Sequence, residues 1–330
     1  MQHSTLKKLS EVLGISISTV SRALKDHPDI SESTKKKVKE LATTLEYEPN
    51  AYAVQLRTRK SNVLGILVPS IDNFFYDSFI AAVEEDARLN GYSVMIMQSR
   101  DKEQLEIANL HLFRKSMVMG LFASISIETE DMSFFKKLED LEIPVVFFDR
   151  VPETGNYNRV CLADEIAAKM AAEAIIQKNK KNVLGLFGHP HLSITTKRCA
   201  SFKETFKENS PETILTIDYP ENIIESKRVA LEALKRKQPP DVIFCMGDMI
   251  LIGVMYAVHE LKLKVPDQIA IIGISNGLMP TMYDPKITYV ETSGHKLGKL
   301  AFIQMLISLK NNKEPTEVFL ESILVEGGSL

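Results

Sequence analysis

From Val63 onward the chain repeats one unit: a short, predominantly apolar run, a polar turn, and then a longer stretch of helix formers. The runs are Val63–Val68, Val94–Met97, Gly120–Ala123 and Val145–Phe148, followed by Val183–Phe187, Ile214–Ile217, Val242–Cys245 and Ile269–Gly273. Continuous apolarity is what a strand buried on both faces requires, and such strands belong to parallel sheets covered by helices. Helical stretches such as Phe79–Leu89 and Ala163–Gln177 separate them. Two sets of four runs imply two doubly wound α/β lobes, not one long sheet.

The first sixty residues follow a different pattern. Leu6, Leu9, Val12 and Leu13 share a helical face that Thr5 can cap and Gly14 ends. Ser16 can cap a second helix, with Val20, Ala23 and Leu24 on one side and Ile17, Ser18, Ser21 and Arg22 on the other. A third helix opens at Ser31 and is buried through Val38, Leu41, Ala42 and Leu45. Two short helices joined by a glycine-containing turn read as a helix-turn-helix. A generic three-helix surface domain with solvated Ser and Arg shares the same spacing.

Charge separates the two parts. Residues 1–60 carry eleven Lys or Arg against seven Asp or Glu, whereas the remaining 270 carry 29 against 36. A basic head on an acidic body points to a polyanionic partner for the head. On that reading the outward face of the second helix enters a major groove. Arg22 would donate two bonds to a guanine, worth about 1–3 kcal/mol of discrimination. Ile17 and Ser18 would touch neighbouring base edges, and the hydroxyls of Ser16, Thr19 and Ser21 suit phosphates. The Lys35-Lys36-Lys37 run reads chiefly as a solvated helix face.

Within residues 48–60, Glu48-Pro49-Asn50 is a break, and the helix-forming stretch after it, residues 51–60, is shorter than the about 12–15 residues an isolated helix needs in water. They would become helical only when DNA and a partner subunit hold them. Leu56 is the apolar residue of this basic segment: it either wedges between base pairs from the minor groove or packs on its own body.

Thr5-Leu6, Leu13–Ser16, Ser18–Leu24, Ser31, Thr34, Val38, Leu45, Tyr47, Pro49-Asn50, Ala53 and Leu56, taken in order, resemble the head and hinge signature of the lactose/galactose repressor (LacI/GalR) family. The resemblance implies Ile17, Ser18 and Arg22 as base readers, and Ala53 and Leu56 as minor-groove residues at the centre of a palindromic operator. Thr5 and Asn50 complete the expected DNA-contacting set. Lys7-Lys8 departs from the pattern, since relatives usually carry an acidic residue there.

Ligands of doubly wound sheets sit beyond the carboxyl ends of strands. In the body those positions hold Phe74, Phe75, Tyr76, Ser124, Asp149, Arg150, Arg198, Asp218, Asp248, Ser275 and Asn276. Aromatic plates, carboxylates, an arginine and amides together suit a small polar ligand such as a sugar. An internal Asp149–Arg150 ion pair is an equal alternative. The body also resembles the family's periplasmic-binding-protein-like fold, most specifically at Pro240–Asp248, Gly253, Val265–Asp267 and Ile271–Asn276. That resemblance implies Phe75, Tyr76, Arg150, Arg198 and Asn276 as effector-cleft residues. Ser275 stands where most relatives carry an aspartate, so a charge-assisted acceptor is missing.

The expected organisation is a helix-turn-helix DNA-binding domain over residues 1–47, a hinge over 48–60, and an effector-binding and dimerisation domain over 61–330. Lobe 1 would take residues 61–160 and 292–323, and lobe 2 residues 161–291 and 324–330. The expected activity is that of a cytoplasmic, homodimeric repressor of transcription that binds a double-stranded DNA operator and a small-molecule effector, without cofactor, catalytic residues, metal or membrane. Cys161, Cys199 and Cys245 form no C-x-x-C pair and read as buried apolar residues. The rival readings are an α/β enzyme, for which G-x-G-x-x-G, G-x-x-x-x-G-K and H-E-x-x-H are all absent, and a solute-binding protein, which the missing signal region and the basic head oppose. His189 and His191 read as loop imidazoles.

Overall fold

The computed structural model describes residues 5–45, 47, 61–310 and 314–330. The chain divides into two compact units at residue 61, each with its own core.

The first unit contains α1 (Leu6–Leu13), α2 (Ile17–Leu24) and α3 (Glu32–Thr44). Each start is fixed by a side-chain cap: Thr5 accepts from the Lys8 amide, Ser16 from Thr19 and Ser31 from Thr34. Gly14 ends α1 in the left-handed region at φ 65°, and its amide bonds the Ser10 carbonyl. Leu9, Val20, Ala23, Val38 and Ala42 form the core. Two expectations need correction. Val12 is 59% exposed while Ser10 is buried; at about 100° per residue, Val12 falls off the arc centred on Leu6, Leu9 and Leu13. Lys35 is buried, its ammonium 2.6 Å from Glu32, and only Lys36 and Lys37 face solvent.

The second unit holds two six-stranded sheets. One has the order β11-β5-β4-β3-β1-β2, built from β1 (Val63–Val68), β2 (Ser93–Gln98), β3 (Gly120–Ala123), β4 (Val145–Phe148), β5 (Asn158–Leu162) and β11 (Glu317–Leu320). The other has the order β12-β10-β9-β8-β6-β7, from β6 (Asn182–Leu186), β7 (Ile214–Asp218), β8 (Val242–Cys245), β9 (Ala270–Ser275), β10 (Thr288–Glu291) and β12 (Ile323–Val325). All pairings are parallel except β10 with β12. The central strands are the continuous apolar runs and are fully buried. Sequence analysis passed over β5, β10, β11 and β12. These carry polar ends or sit at sheet edges, and β11 alternates between exposed and half-buried residues.

Helices cover both faces. On the first sheet these are α4 (Phe74–Leu89), α5 (Glu103–Lys115), α6 (Ser133–Glu139) and α11 (Gly294–Leu309). On the second they are α7 (Asp164–Gln177), α8 (Ser193–Asn209), α9 (Ile223–Leu234) and α10 (Asp248–Glu260). The chain passes between the sheets three times, after β5, after β10 and after β11. Helix α11, reached from the second sheet, packs along α4 on the first. Their approach is set by missing side chains: a Cβ on Gly298 would lie 2.7 Å from the Phe79 carbonyl oxygen and 2.9 Å from Ala82 Cβ.

Gly298→Ala therefore forces the two helices apart. We expect a loss of about 1–3 kcal/mol, typical of overpacking, read as a lower denaturation midpoint with unchanged head helicity.

Candidate functional site

In the first unit, the N-terminus of α2 presents a cluster of hydroxyls. Ser16 Oγ lies 2.7 Å from Ser18 Oγ and 2.8 Å from Thr19 Oγ1, and accepts from the Thr19 amide at 3.1 Å. Free amides and hydroxyls at a helix N-terminus suit a phosphate oxygen. Along the same outward face Ile17 is 47% exposed, Ser18 and Arg22 are exposed and Ser21 is half-buried. Arg22 Nη2 lies 3.7 Å from Asp29 Oδ2, both side chains largely in solvent. A contact of that kind contributes about 0–1 kcal/mol, so the guanidinium is held loosely. Thr5 is engaged as the cap of α1. Asn50, Ala53 and Leu56, with the whole 48–60 segment, lie outside the described residues.

In the second unit, a cleft of about 350 Å³ opens at the carboxyl ends of both sheets. Phe75 and Tyr76 reach it from the first turn of α4, Asp149 and Arg150 from the end of β4, and Asp101 from the loop after β2. Across from them stand Arg198 on α8, Asp248 at the start of α10, and Ser275 and Asn276 at the end of β9. Tyr76 is buried and donates to Asp149 Oδ2 at 2.7 Å. Its hydroxyl oxygen lies 3.1 Å from Ser124 Oγ, which acts behind the wall, not in it. Asp149 sits in the left-handed region at φ 56°, a conformation Asp tolerates and one common where a site is held in place. Burial raises the pKa of both Asp149 and Asp248, against the lowering effect of the hydroxyls of Tyr76 and Ser275.

The arginines are matched within the protein. Arg150 does not pair with Asp149: its Nη1 bonds Asp101. Arg198 places Nε and Nη2 each 2.7 Å from Asp164 Oδ1, and its Nη1 donates to the Met246 carbonyl at 3.0 Å. This buried bracket ties α8 to α7 and to the end of β8. Removing one member of a buried pair costs about 3–5 kcal/mol.

Asn276 is occupied as fully. Its Nδ2 donates to the Phe74 carbonyl at 3.0 Å, and its Oδ1 accepts from Gly294 N at 2.8 Å and from Ser78 Oγ at 3.2 Å. One amide from the second lobe thus stitches itself to α4 and α11 of the first. Its own backbone amide rests 3.2 Å from Asp248 Oδ2, while Ser275 Oγ donates to Oδ1.

Comparison with known proteins places this architecture. A model of bacterial regulatory proteins of the lacI family matches residues 5–50, and one of the periplasmic binding protein-like domain matches residues 172–330. The ribose operon repressor of Lactococcus lactis is 28% identical over 295 residues, covering 89% of this chain and 88% of its own. Catabolite control protein A of Priestia megaterium is also 28% identical, covering 95% and 94%. The lac repressor dimer bound to operator and the anti-inducer ONPF superposes with a TM-score of 0.89 over 99% of each chain at 20% identity.

The chain belongs to the lacI family of bacterial regulatory proteins.

It is therefore a DNA-binding regulator of transcription with a ligand-binding type of body, and its relatives are regulators, not enzymes. Within this lacI-family body, eight of the eleven anticipated cleft residues line the cavity, and Phe74 and Ser124 stand behind it, Phe74 through its carbonyl. Asp218 lies outside the lining, its carboxylate capping the Tyr219 amide. Sequence analysis missed Asp101, Glu221 and an apolar wall that includes Ile127, Met246, Met249 and Ile274. Methionine and isoleucine at helix and strand ends carry no signal that separates a cleft wall from core. Among the described residues no helix is long and apolar enough to cross a membrane, and no group of three or more His, Cys, Asp or Glu is placed to hold a metal.

Asn276→Ala removes three ties between the lobes. Hydrogen exchange should speed up at the Gly294 amide, which loses its acceptor, while the core amides of β8 stay protected. Unchanged protection at Gly294 would show that the lobes hold together without it.

Proposed function

We propose that this protein is a repressor that binds a palindromic operator as a homodimer and responds to a small molecule held between its lobes. The supporting observation for DNA reading is the outward face of α2, where a capped N-terminus, Ile17, Ser18 and a loosely held Arg22 lie in line on the basic part of the chain. Phosphate contacts from this head would give a salt dependence near 0.9 per charge neutralised, an approximate slope for duplex DNA. Residues 1–47 form the DNA-binding domain, 48–60 a hinge that folds on the operator, and 61–330 the effector-binding domain. A bacterial regulator of this kind would act in the cytoplasm, where its DNA lies.

Dimerisation is supported by apolar side chains left in solvent on the second lobe. Ile224 on α9 is 81% exposed, Tyr256 on the adjoining α10 56%, and Met282 61%. Covering such groups with a second copy removes them from water. The lac repressor dimer bound to operator and the CelR–cellobiose complex, at TM-scores of 0.89 and 0.72, are consistent with an operator and an effector here. The effector acts only through its different affinity for two arrangements of the lobes. Asn276, whose backbone amide donates to Asp248 and whose side chain bonds lobe 1, links the cleft with the lobe junction and is the connection through which it would do so.

Arg22→Ala is expected to cost about 1–3 kcal/mol at one base position in each half-site. A binding selection over randomised duplexes should show that position relaxed, and an unaltered preference refutes the assignment. Leu56→Ala should weaken operator binding far more than nonspecific binding; equal losses would exclude a minor-groove wedge.

A further inference from the structure

Charges around the cleft do not balance. Asp101, Asp149, Asp248 and Glu221 stand in its wall and Asp164 behind it, against the guanidinium groups of Arg150 and Arg198. Each guanidinium already has its carboxylate, Asp101 for Arg150 and Asp164 for Arg198. Glu221, exposed, has His189 Nε2 at 3.4 Å. Asp149 on lobe 1 and Asp248 on lobe 2 remain with no cation in ion-pair range among the described residues. Asp149 accepts from the Tyr76 hydroxyl, and Asp248 from Ser275 Oγ and the Asn276 amide. Burial works against the charge of both, and Arg150 and Arg198 favour that of Asp149 only from beyond ion-pair range.

The groups that would receive an anion are engaged elsewhere. Arg198 is held by Asp164 and the Met246 carbonyl, and the Asn276 side chain by lobe 1. Arg150 keeps one buried donor, Nε, without a partner, which suits a single ligand oxygen. The apolar part of the cleft wall includes Phe75, Tyr76, Met246, Met249 and Ile250.

Accepting the cleft as the effector site, we propose that it takes a small organic cation: a protonated amine on a compact, partly apolar frame, its ammonium against Asp149 and Asp248. Buried carboxylates call for an opposite charge, and Phe75, a half-buried ring in the cleft wall, is an aromatic group of the kind that attracts a cation. The cavity of about 350 Å³ holds a molecule the size of a monosaccharide or a phenethylamine. Because each lobe contributes one carboxylate, an ammonium reaching both supplies the charge that neither finds within ion-pair range in the protein. A neutral hydroxyl offers hydrogen bonds without that charge, and a phosphate brings a charge of the wrong sign.

The test uses the full chain and compounds paired so that an amine replaces a hydroxyl: tyramine with tyrosol, and glucosamine with glucose. N-acetylglucosamine and glucose 6-phosphate serve as neutral and anionic controls. Thermal midpoints should rise with at least one amine at concentrations about tenfold below those its hydroxyl counterpart needs, a difference of about 1.4 kcal/mol, with no response to the phosphate. Asp149→Asn keeps an oxygen for Tyr76 but loses the charge. It should abolish the amine preference and raise the midpoint of the ligand-free protein at neutral pH. An equal or larger response to glucose, tyrosol or the phosphate rejects the cation and leaves the cleft as an effector site. Silence from every compound rejects the cation as well. The effector reading fails separately, if a compound that stabilises the protein leaves its affinity for operator unchanged.

Discussion

Parallel pairing is the constraint on which the body depends. Neighbouring parallel strands must be joined by crossovers, and helices then cover both faces. Every strand of that kind delivers its carboxyl end to the same edge of its sheet. Tyr76 follows β1, Ser124 follows β3 and Asp149 follows β4 at one edge; Asp248 follows β8 and Asn276 follows β9 at the other. None of these groups is near the rest in sequence. They meet because the sheets hold their strand ends in register and because the two edges face one another across the cleft.

Two arginines of this chain show how burial assigns different tasks to one side chain. Arg22 touches Asp29 at 3.7 Å in open solvent, where an ion pair contributes about 0–1 kcal/mol. It can leave that partner at little cost. Arg198 and Asp164 are each 7% exposed at the side chain, and a partner left behind there would be an isolated buried charge. Arg198 is a brace, whatever else it touches. Asn276 belongs with Arg198 in this respect: a residue in the cleft wall whose hydrogen bonds are taken up in holding that wall together.

Much of this was legible in the sequence wherever the governing interaction is local. Thr5, Ser16 and Ser31 cap helices within three residues of themselves, and Gly14 stops one by its own backbone freedom, so the head could be read directly. The central strands were legible because burial on both faces leaves an unbroken apolar run. Edge strands were not: β11 and β12 are partly exposed and take their pairing from residues more than a hundred positions away in the case of β11. Cleft residues were recognisable by chemical type and position, but their partners were hidden. Arg150 finds Asp101 49 residues away and Asn276 finds Phe74 202 residues away. Composition alone would have joined Arg150 to its neighbour Asp149.

The three passages of the chain between sheets have a bearing on how the protein is made. Lobe 1 borrows α11 and β11 from the last forty residues, although β5, the partner of β11, is complete by Leu162. Synthesis proceeds at about 5–20 residues per second, so on the order of ten seconds separates β5 from the strand that completes its sheet. Throughout that interval the groove on α4 that α11 will fill, floored by Phe79 and Ala82, is open to water and to other nascent chains. The second sheet has β6 to β10 in hand before then and waits only for β12. The lobe that begins first is therefore completed only when α11 and β11 emerge, just before β12 closes the other sheet, and its apolar groove is the surface most open to a wrong partner in the meantime.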